Sequence, residues 1–268
     1  IQMISNGGLV TDAIAERLST YPIDYIQITL NGTTAALHDE HVGGEHHAAT
    51  IAGIQALVRR GVRVVGCVVV TRKNARQVGE ILDQFRELGV ETVALSRFSP
   101  AGFAANQIAE LLPSRSEVIT ALEQAQPRAR AGQEIQVTMP VPPCVVEHAD
   151  YPEIRFGQCP VGTTAQEFAL GPRGELRACT LHGESLGDVR TTSLAVLVEQ
   201  PAVRGYRDVT PDFCAPCSHR DTCIGGCGAA AATVFGDPRG LDPFVAQHTD
   251  DALAERLRRG RTRLSVLA

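Results

Sequence analysis

The residues best suited to chemistry in this sequence are its eight cysteines, seven of which lie from residue 144 onward. The densest run is Cys214-x2-Cys217-x5-Cys223-x3-Cys227. Thiolates bind soft metals and hold iron–sulfur clusters, in which each cubane normally takes four protein ligands. Disulfide scaffolds are usually short secreted chains, whereas this chain has 268 residues and 44% apolar residues, enough for a core. The cysteines therefore predict a metal site.

Two further cysteines precede that run with a glycine between them, in the order Cys159-x14-Gly174-x4-Cys179. Within the run, Gly225 and Gly226 would let the backbone pass close to bulky inorganic sulfide. Zinc is the alternative, because a single Cys-x2-Cys is more often a zinc knuckle than a cluster site. A zinc pair would favour two separated Cys-x2-Cys units, but the chain has one such unit followed by gaps of five and three residues. The spacing favours iron–sulfur clusters over zinc.

This spacing resembles the SPASM domain of radical S-adenosylmethionine (SAM) enzymes, a domain that holds auxiliary iron–sulfur clusters. The resemblance implies two ligand sets: Cys214, Cys217 and Cys223 for one cluster, and Cys159, Cys179 and Cys227 for the other, with Cys144 as the fourth ligand of the second set. Members of the family usually carry a late cysteine just after an Asp-Pro pair, but here Phe244-Val245 follows Asp242-Pro243. The first set is therefore expected to lack a fourth thiolate. Asp242, His248 or a substrate atom could fill that position, or it could stay open.

The first half of the chain alternates predicted strands with predicted helices. The predicted strands are Gln2–Ser5, Tyr25–Leu30, Val62–Val70 and Val90–Leu95, and the helices are Thr11–Leu18, Ala48–Arg60 and Ala75–Leu88. This alternation predicts parallel βαβ units, barrel-like or doubly wound, with chemistry at the carboxyl ends of the strands. The later sequence is rich in loops, with a predicted hairpin of Glu167–Leu170 and Glu175–Arg177 and a predicted terminal helix, Ala252–Arg259.

The first half also resembles the later strands of the radical SAM partial barrel, in the order of its strand ends. The resemblance implies an α/β fold in which the C-terminal part of a partial (β/α)6 barrel, residues 1–141, is followed by a loop-rich α+β SPASM domain, residues 142–268. It implies SAM contacts from nine residues: Ser5, Asn6, Gly7, Thr29, Asn31, Asn74, Ser99, Pro100 and Gly102. Asn31 stands where the family has an acidic residue.

Two groups in this half have simpler interpretations. Cys67 sits inside the apolar run Val62–Val70, so we expect a core thiol that behaves as a small hydrophobe. His46 and His47 are adjacent and cannot share one helix face, so a solvated loop containing these two, His38 and His41 is favoured over a metal site. The Cys-x3-Cys-x2-Cys motif that binds the SAM-cleaving cluster is absent. We therefore expect the chain to be part of a longer protein.

The resemblance implies a radical SAM oxidoreductase. A 4Fe–4S cluster on the missing segment would cleave SAM, and the 5′-deoxyadenosyl radical would abstract hydrogen from a substrate. One or two auxiliary 4Fe–4S clusters would lie in this chain. The expected substrate is a ribosomally made peptide that undergoes maturation, and a flavodoxin- or ferredoxin-type protein would supply electrons. The alternatives are oxidation or epimerisation of a small molecule, and a non-catalytic iron–sulfur electron-transfer or peptide-binding module.

Composition limits the other classes of partner. The net charge is −5 and there is no basic block, which disfavours nucleic acid. No apolar run is long enough to span a bilayer, and the first residues lack the basic start of a signal peptide. We expect a cytoplasmic protein with no membrane partner.

Overall fold

The computed structural model describes residues 1–208 and 210–249. Its largest feature is a parallel six-stranded sheet in which neighbouring strands follow the order of the chain. The strands are β1 (Gln2–Ser5), β2 (Tyr25–Thr29), β3 (Val64–Val70), β4 (Thr92–Arg97), β5 (Glu134–Val137) and β6 (Arg155–Phe156). Parallel neighbours need a crossover between them, and helices supply most of these crossovers. The predicted α/β fold is confirmed.

Three of the six helices that connect the strands begin at side-chain caps. The six helices are α1 (Asp12–Leu18), α2 (Ala35–Val42), α3 (His47–Arg59), α4 (Val78–Glu87), α5 (Ile108–Leu111) and α6 (Arg115–Arg130). The side chains of Thr11 and Thr34 accept backbone N–H groups at the starts of α1 and α2. Ser114 and Glu117 form a capping box at the start of α6. These caps satisfy N–H groups that have no partner within the helix.

Strand β3 lies at the centre of the packing, as its β-branched sequence predicts. Six of its seven residues are buried. A side chain at Gly66 would come within 2.8 Å of the Phe85 ring, so glycine is what lets α4 pack closely there. Cys67 is buried in a small apolar cluster with Val65 and Ala94, as expected of a core thiol. The buried strand β3 therefore fixes the positions of its neighbours β2 and β4, with which it pairs.

The second half has a smaller antiparallel sheet and short helices. The sheet consists of β7 (Ala169–Leu170), β8 (Glu175–Arg177) and β9 (Ser185–Asp188), and its first two strands form the predicted hairpin. The helices are α7 (Leu194–Leu197), α8 (Pro201–Arg204), α9 (Arg220–Cys223), α10 (Gly228–Phe235) and α11 (Pro243–Thr249). The predicted helix Ala252–Arg259 lies outside the described residues.

The chain divides into two compact units. The first contains Ile1–Phe98, Pro113–Val141 and Val146–Gly157, and the second contains Ser99–Leu112, Pro142–Val145 and the residues from Gln158 onward. The chain therefore crosses between the units several times, whereas the sequence predicts one boundary after residue 141. Among the described helices, none combines the length and apolar character needed to cross a membrane.

Candidate functional site

Asn74 lies at the carboxyl edge of the parallel sheet, where its side chain is fully buried. Its Nδ2 group donates to the carbonyl oxygens of Asn31, at 3.1 Å, and Val69, at 3.0 Å. Its Oδ1 accepts from the Thr71 amide, at 2.8 Å, and the Thr71 hydroxyl, at 3.3 Å. Because both donors are engaged by carbonyls, Asn74 shapes the edge by joining the ends of β2 and β3. The predicted direct contact with SAM stays a prediction.

Asn31 and two histidines extend this network. The side-chain Oδ1 of Asn31 accepts from the backbone amide of Val69 at 3.0 Å. The backbone amide of Asn31 donates to His38 Nδ1 at 3.2 Å. The His41 ring lies 2.8 Å from the Thr71 hydroxyl through Nε2 and 2.7 Å from the Leu37 carbonyl through Nδ1. Burial lowers the pKa of His41. The amide that replaces the family's acidic side chain at position 31 is therefore a structural link between strands.

The histidines do not form the solvated loop expected from the sequence. His38 and His41 lie on α2, and His47 begins α3, where the Asp39 carboxylate accepts the amides of His46 and His47. Only 1% of His38 is exposed, and its Nε2, like that of His47, is buried without a hydrogen-bond partner. Burial, reinforced by His47, lowers the pKa of His38 to about 4. The loop interpretation is wrong because a capped helix forms here.

At the end of β1, the polar side chains form hydrogen bonds with nearby backbone groups. The hydroxyl of Ser5 and the Oδ1 of Asn6 each accept a backbone amide two residues later, both at 3.1 Å. The buried Thr50 hydroxyl donates to the Asn6 carbonyl at 3.0 Å. Gly7 has a φ of +74°, a conformation that favours glycine. On the next strand, the Thr29 hydroxyl pairs with the thiol of Cys67.

The predicted SAM residues fall into two sets. Ser5, Asn6, Gly7, Thr29, Asn31 and Asn74 come together at the carboxyl edge of the sheet. The other three, Ser99, Pro100 and Gly102, belong to the second unit. There the Ser99 hydroxyl donates to the Cys227 sulfur at 3.7 Å. The six residues of the first set could hold a ligand at the position where parallel α/β sheets bind ligands.

The cysteines of the second unit form two groups, and all eight cysteines of the chain are free of disulfides. The first group is defined by the electrostatic interactions among four thiols, those of Cys144, Cys214, Cys217 and Cys223. Burial first, and then the other three thiols, raise the pKa of Cys214 to about 11. Two backbone amides, from Gly225 and Gly226, donate to the sulfur of Cys223. N–H groups directed at sulfur stabilise a thiolate and tune the potential of an iron–sulfur cluster.

The second group consists of Cys159, Cys179 and Cys227, with the hydroxyl of Tyr206 bonded to the Cys159 sulfur. Burial, followed by the three thiols, raises the pKa of Tyr206 above its ordinary value. The amides of Leu181 and His182 donate to the Cys179 sulfur at 3.3 and 3.1 Å. Tyr206 also lines a cavity of about 250 Å³. No sequence motif predicted that Tyr206 would contact this group.

A left-handed turn separates the two groups. Ile224, Gly225 and Gly226 all have positive φ, at 49°, 81° and 96°. The turn reverses the chain between α9, which ends at Cys223, and α10, which begins after Cys227. It therefore sends two cysteines that are four positions apart into different groups. The two glycines adopt the positive φ that this turn requires. The predicted close approach of their backbone to inorganic sulfide stays a prediction.

The predicted ligand roles of Cys144 and Asp242 stay predictions. Cys144, expected with Cys159, Cys179 and Cys227, has electrostatic interactions with Cys217 and Cys223. Asp242 is 1% exposed, and its carboxylate accepts the amide of Cys227 through Oδ2 and that of Phe244 through Oδ1, each at 2.8 Å. Through these two hydrogen bonds, one from each carboxylate oxygen, Asp242 connects the start of α11 to the turn that precedes α10.

The donor chemistry fits iron–sulfur clusters. Both groups are built of thiols that receive backbone N–H groups. A Cβ at position 225 would lie 2.7 Å from the Pro211 ring and 3.4 Å from the Cys214 sulfur, so glycine lets the turn pack closely against both residues. Within residues 1–208 and 210–249, no three Cys, His, Asp or Glu side chains come close enough to share a single metal ion.

Comparisons with known proteins agree with this geometry. No protein-family profile matches the chain. A PqqA peptide cyclase of Ruegeria pomeroyi is 27% identical over 259 residues, which cover 92% of this chain and 67% of that protein. This relative and the solved structures below support the resemblance of the chain to radical SAM enzymes with a SPASM domain. The chain spans about two thirds of the length of the curated relatives that it matches.

Solved structures of radical SAM/SPASM enzymes share the fold. The structure of anSMEcpe with bound AdoMet has a TM-score of 0.66 and 14% identity, with coverage of 96% of this chain and 74% of that one. Streptococcus suis SuiB, bound to its precursor peptide SuiA, has a TM-score of 0.64 and 15% identity, with coverage of 90% of this chain and 57% of SuiB. The similarity supports the fold assigned above.

Proposed function

We propose that this chain is the C-terminal part of a radical SAM oxidoreductase that modifies a peptide. The single observation that supports this best is the gathering of seven cysteines into two thiol groups in a chain that also contains a parallel α/β unit. A relative is named as a peptide cyclase, and one structural neighbour was solved with a precursor peptide. A peptide is therefore the substrate class that fits best.

The residues at the carboxyl edge of the sheet would bind and orient SAM. Asn74 and Asn31 hold the ends of β2 and β3 at a fixed separation through buried amide bonds. Ser5, Asn6 and Gly7 present backbone and side-chain polar groups at the end of β1. When bound and reduced, the iron–sulfur cluster of the upstream segment would supply the electron that cleaves SAM. The resulting radical would abstract hydrogen from the peptide.

The two thiol groups would hold the auxiliary iron–sulfur clusters. The backbone amides that donate to Cys179 and Cys223 would stabilise the thiolates, because an N–H group interacts more favourably with a charged sulfur than with a thiol. These clusters would accept the electron that the substrate radical must lose. A reductant of the flavodoxin or ferredoxin type would serve the enzyme.

The test uses protein that includes the upstream Cys-x3-Cys-x2-Cys segment, purified without oxygen and reduced with dithionite. With SAM and a short peptide encoded beside its gene, we expect 5′-deoxyadenosine by chromatography and a changed peptide mass by mass spectrometry. Release of 5′-deoxyadenosine with a small molecule as the only altered species would replace the peptide assignment. Cluster-loaded protein that never cleaves SAM would favour an electron-transfer module.

A further inference from the structure

Helix α9, which carries Cys223, has no apolar anchor of its own. None of its four residues, Arg220–Cys223, is buried. A single helical turn is marginal in water, because so few hydrogen bonds do not offset the cost of starting a helix. The position of α9 therefore depends on its flanking residues and on polar contacts with other segments of the second unit.

Arg207 supplies such contacts to the last turn of α9. Its Nη2 donates to the carbonyl oxygens of Asp221, at 2.6 Å, and Thr222, at 3.1 Å. Carbonyl groups in the last turn of a helix have no partner within the helix, and a basic side chain can bond them. One nitrogen of the guanidinium group thus holds the two residues that precede Cys223.

The other terminal nitrogen of Arg207 holds the segment that carries Cys159. Nη1 donates to the carbonyl oxygens of Cys159, at 3.0 Å, and Val161, at 3.4 Å. Val161 is 1% exposed and belongs to an apolar cluster of the second unit, against which Cys159 also packs. A Cβ at Gly162 would lie 3.0 Å from the Arg207 Cγ, so the missing side chain lets the arginine pass close to this segment.

Arg207 is anchored from its own side as well. Val203 is buried in the same apolar cluster, and Tyr206 packs against it. The guanidinium group is planar, always charged, and presents its donors in a rigid fork. A lysine carries one compact ammonium group on a flexible stem and would not hold four carbonyl groups in this geometry. The arginine therefore fixes the two segments relative to each other.

We propose that Arg207 is a positioning residue that holds helix α9, with Cys223, and the segment of Cys159 at one fixed separation. This inference rests on the proposed function, in which the two cysteines serve different clusters. Because the guanidinium group bonds both segments, its positive charge lies between them. Reduction adds negative charge to a cluster, so this cation should raise both reduction potentials.

The test uses the whole chain, reconstituted with iron and sulfide without oxygen, as the parent, Arg207→Lys and Arg207→Gln. Hydrogen exchange measured by mass spectrometry reports on the two segments separately. We expect residues 159–162 and 220–224 to exchange at least about tenfold faster in both variants, because one hydrogen bond to a charged group contributes that much or more. The matched control is Arg204→Gln, which removes an exposed arginine of α8 that pairs with Glu199. It should leave both segments unchanged, because an exposed ion pair contributes little.

Reduction potentials separate positioning of the clusters from general stability. A redox titration followed by electron paramagnetic resonance should show both potentials lowered in Arg207→Gln, which removes the charge. The potentials should change less in Arg207→Lys, which keeps the charge. If Arg207→Gln does not fold, the exchange of the two segments in Arg207→Lys decides.

Faster exchange in only one segment, or parental potentials in Arg207→Gln, would overturn the inference and leave the proposed function standing. A parent without acid-labile sulfide would overturn the proposed function itself. The exchange of the two segments would then still show whether Arg207 holds them together.

Discussion

At the scale of single residues, Asn74 shows how much of the sheet edge depends on one amide. The Asn74 side chain makes four hydrogen bonds that join the ends of β2 and β3. One of its partners, Asn31, lies 43 residues earlier in the sequence. Asn74 and its partners Asn31 and Thr71 are buried, so water does not readily replace a lost bond there. A buried polar group that loses its partner costs more than the bond contributed.

We expect Asn74→Ala to lower the free energy of unfolding by about 2 kcal/mol or more, because buried carbonyl and amide groups lose their partners. The control is Asn6→Ala, whose exposed side chain bonds only its own turn. That change should cost less than about 0.5 kcal/mol, as is usual at the surface. Urea unfolding followed by circular dichroism measures both. Equal midpoints for Asn74→Ala and the parent would show that the network contributes little.

His38 gives a second prediction at this scale, because its folded pKa of about 4 lies below its ordinary value of 6.5. The folded protein then binds fewer protons than the unfolded chain. Its stability is complete above pH 6.5 and falls as the pH drops from 6.5 towards about 4. His38→Asn keeps an acceptor for the Asn31 amide but cannot titrate, so we expect a flatter dependence of stability on pH over this range. Urea unfolding at several pH values compares the two, and parallel curves would contradict a buried neutral His38.

At the scale of elements, the turn Ile224–Gly226 decides which cysteines share a group. A Cβ at Gly226 would lie 2.7 Å from the Asp242 carboxylate, which holds the Cys227 amide. We therefore expect Gly226→Ala to displace Cys227 and reduce the iron bound after anaerobic reconstitution. The Gly226→Ala protein should bind less iron than the parent. It should also lack the component of the electron paramagnetic resonance spectrum that Cys227→Ala removes.

Gly236 provides the matched control for that change. Its φ is +76°, yet a Cβ there would meet no heavy atom within 4 Å. Gly236→Ala should cost about 1 kcal/mol in stability through backbone strain while iron binding stays at the parental level. If Gly226→Ala also binds iron normally, the turn does not set the position of Cys227.

Much of the element order could be predicted because its signals are local. The apolar run of β3, the amphipathic spacing of α4 and the glycine-centred hairpin of β7 and β8 each lie within a short stretch of sequence. Helix α2 was missed because its sequence, with two histidines and two acidic residues, has no apolar stripe. The capping box at Ser114 and Glu117 is a signal that could have located α6.

The site was less predictable, since its pairings are tertiary. The family resemblance grouped Cys214, Cys217 and Cys223 and placed Cys144 in the second domain, but nothing in the sequence showed that Val146–Gly157 would return to the first unit. The bonds of Tyr206 to Cys159 and of Ser99 to Cys227 likewise join residues that are far apart in the chain. Such contacts are set by the path of the backbone, which local patterns do not contain.

At the scale of the whole molecule, the chain combines a parallel sheet, with polar residues at its carboxyl edge, and a unit built around thiols. Metal sites of this kind contribute directly to folding, because the unfolded chain has no preformed site. We therefore expect the second unit to depend on its clusters for stability more than the first, whose buried β3 and α4 supply an apolar core. Loss of the clusters should leave the sheet unit folded.

The most direct test of the central claim, that the two thiol groups hold iron–sulfur clusters, is metal and sulfide analysis of the whole chain prepared without oxygen. We expect iron and acid-labile sulfide in comparable amounts, more than one cluster requires, with little zinc. Stoichiometric zinc with no acid-labile sulfide would contradict it, because the thiols would then form zinc sites and the electron-transfer role proposed for the second unit would fail.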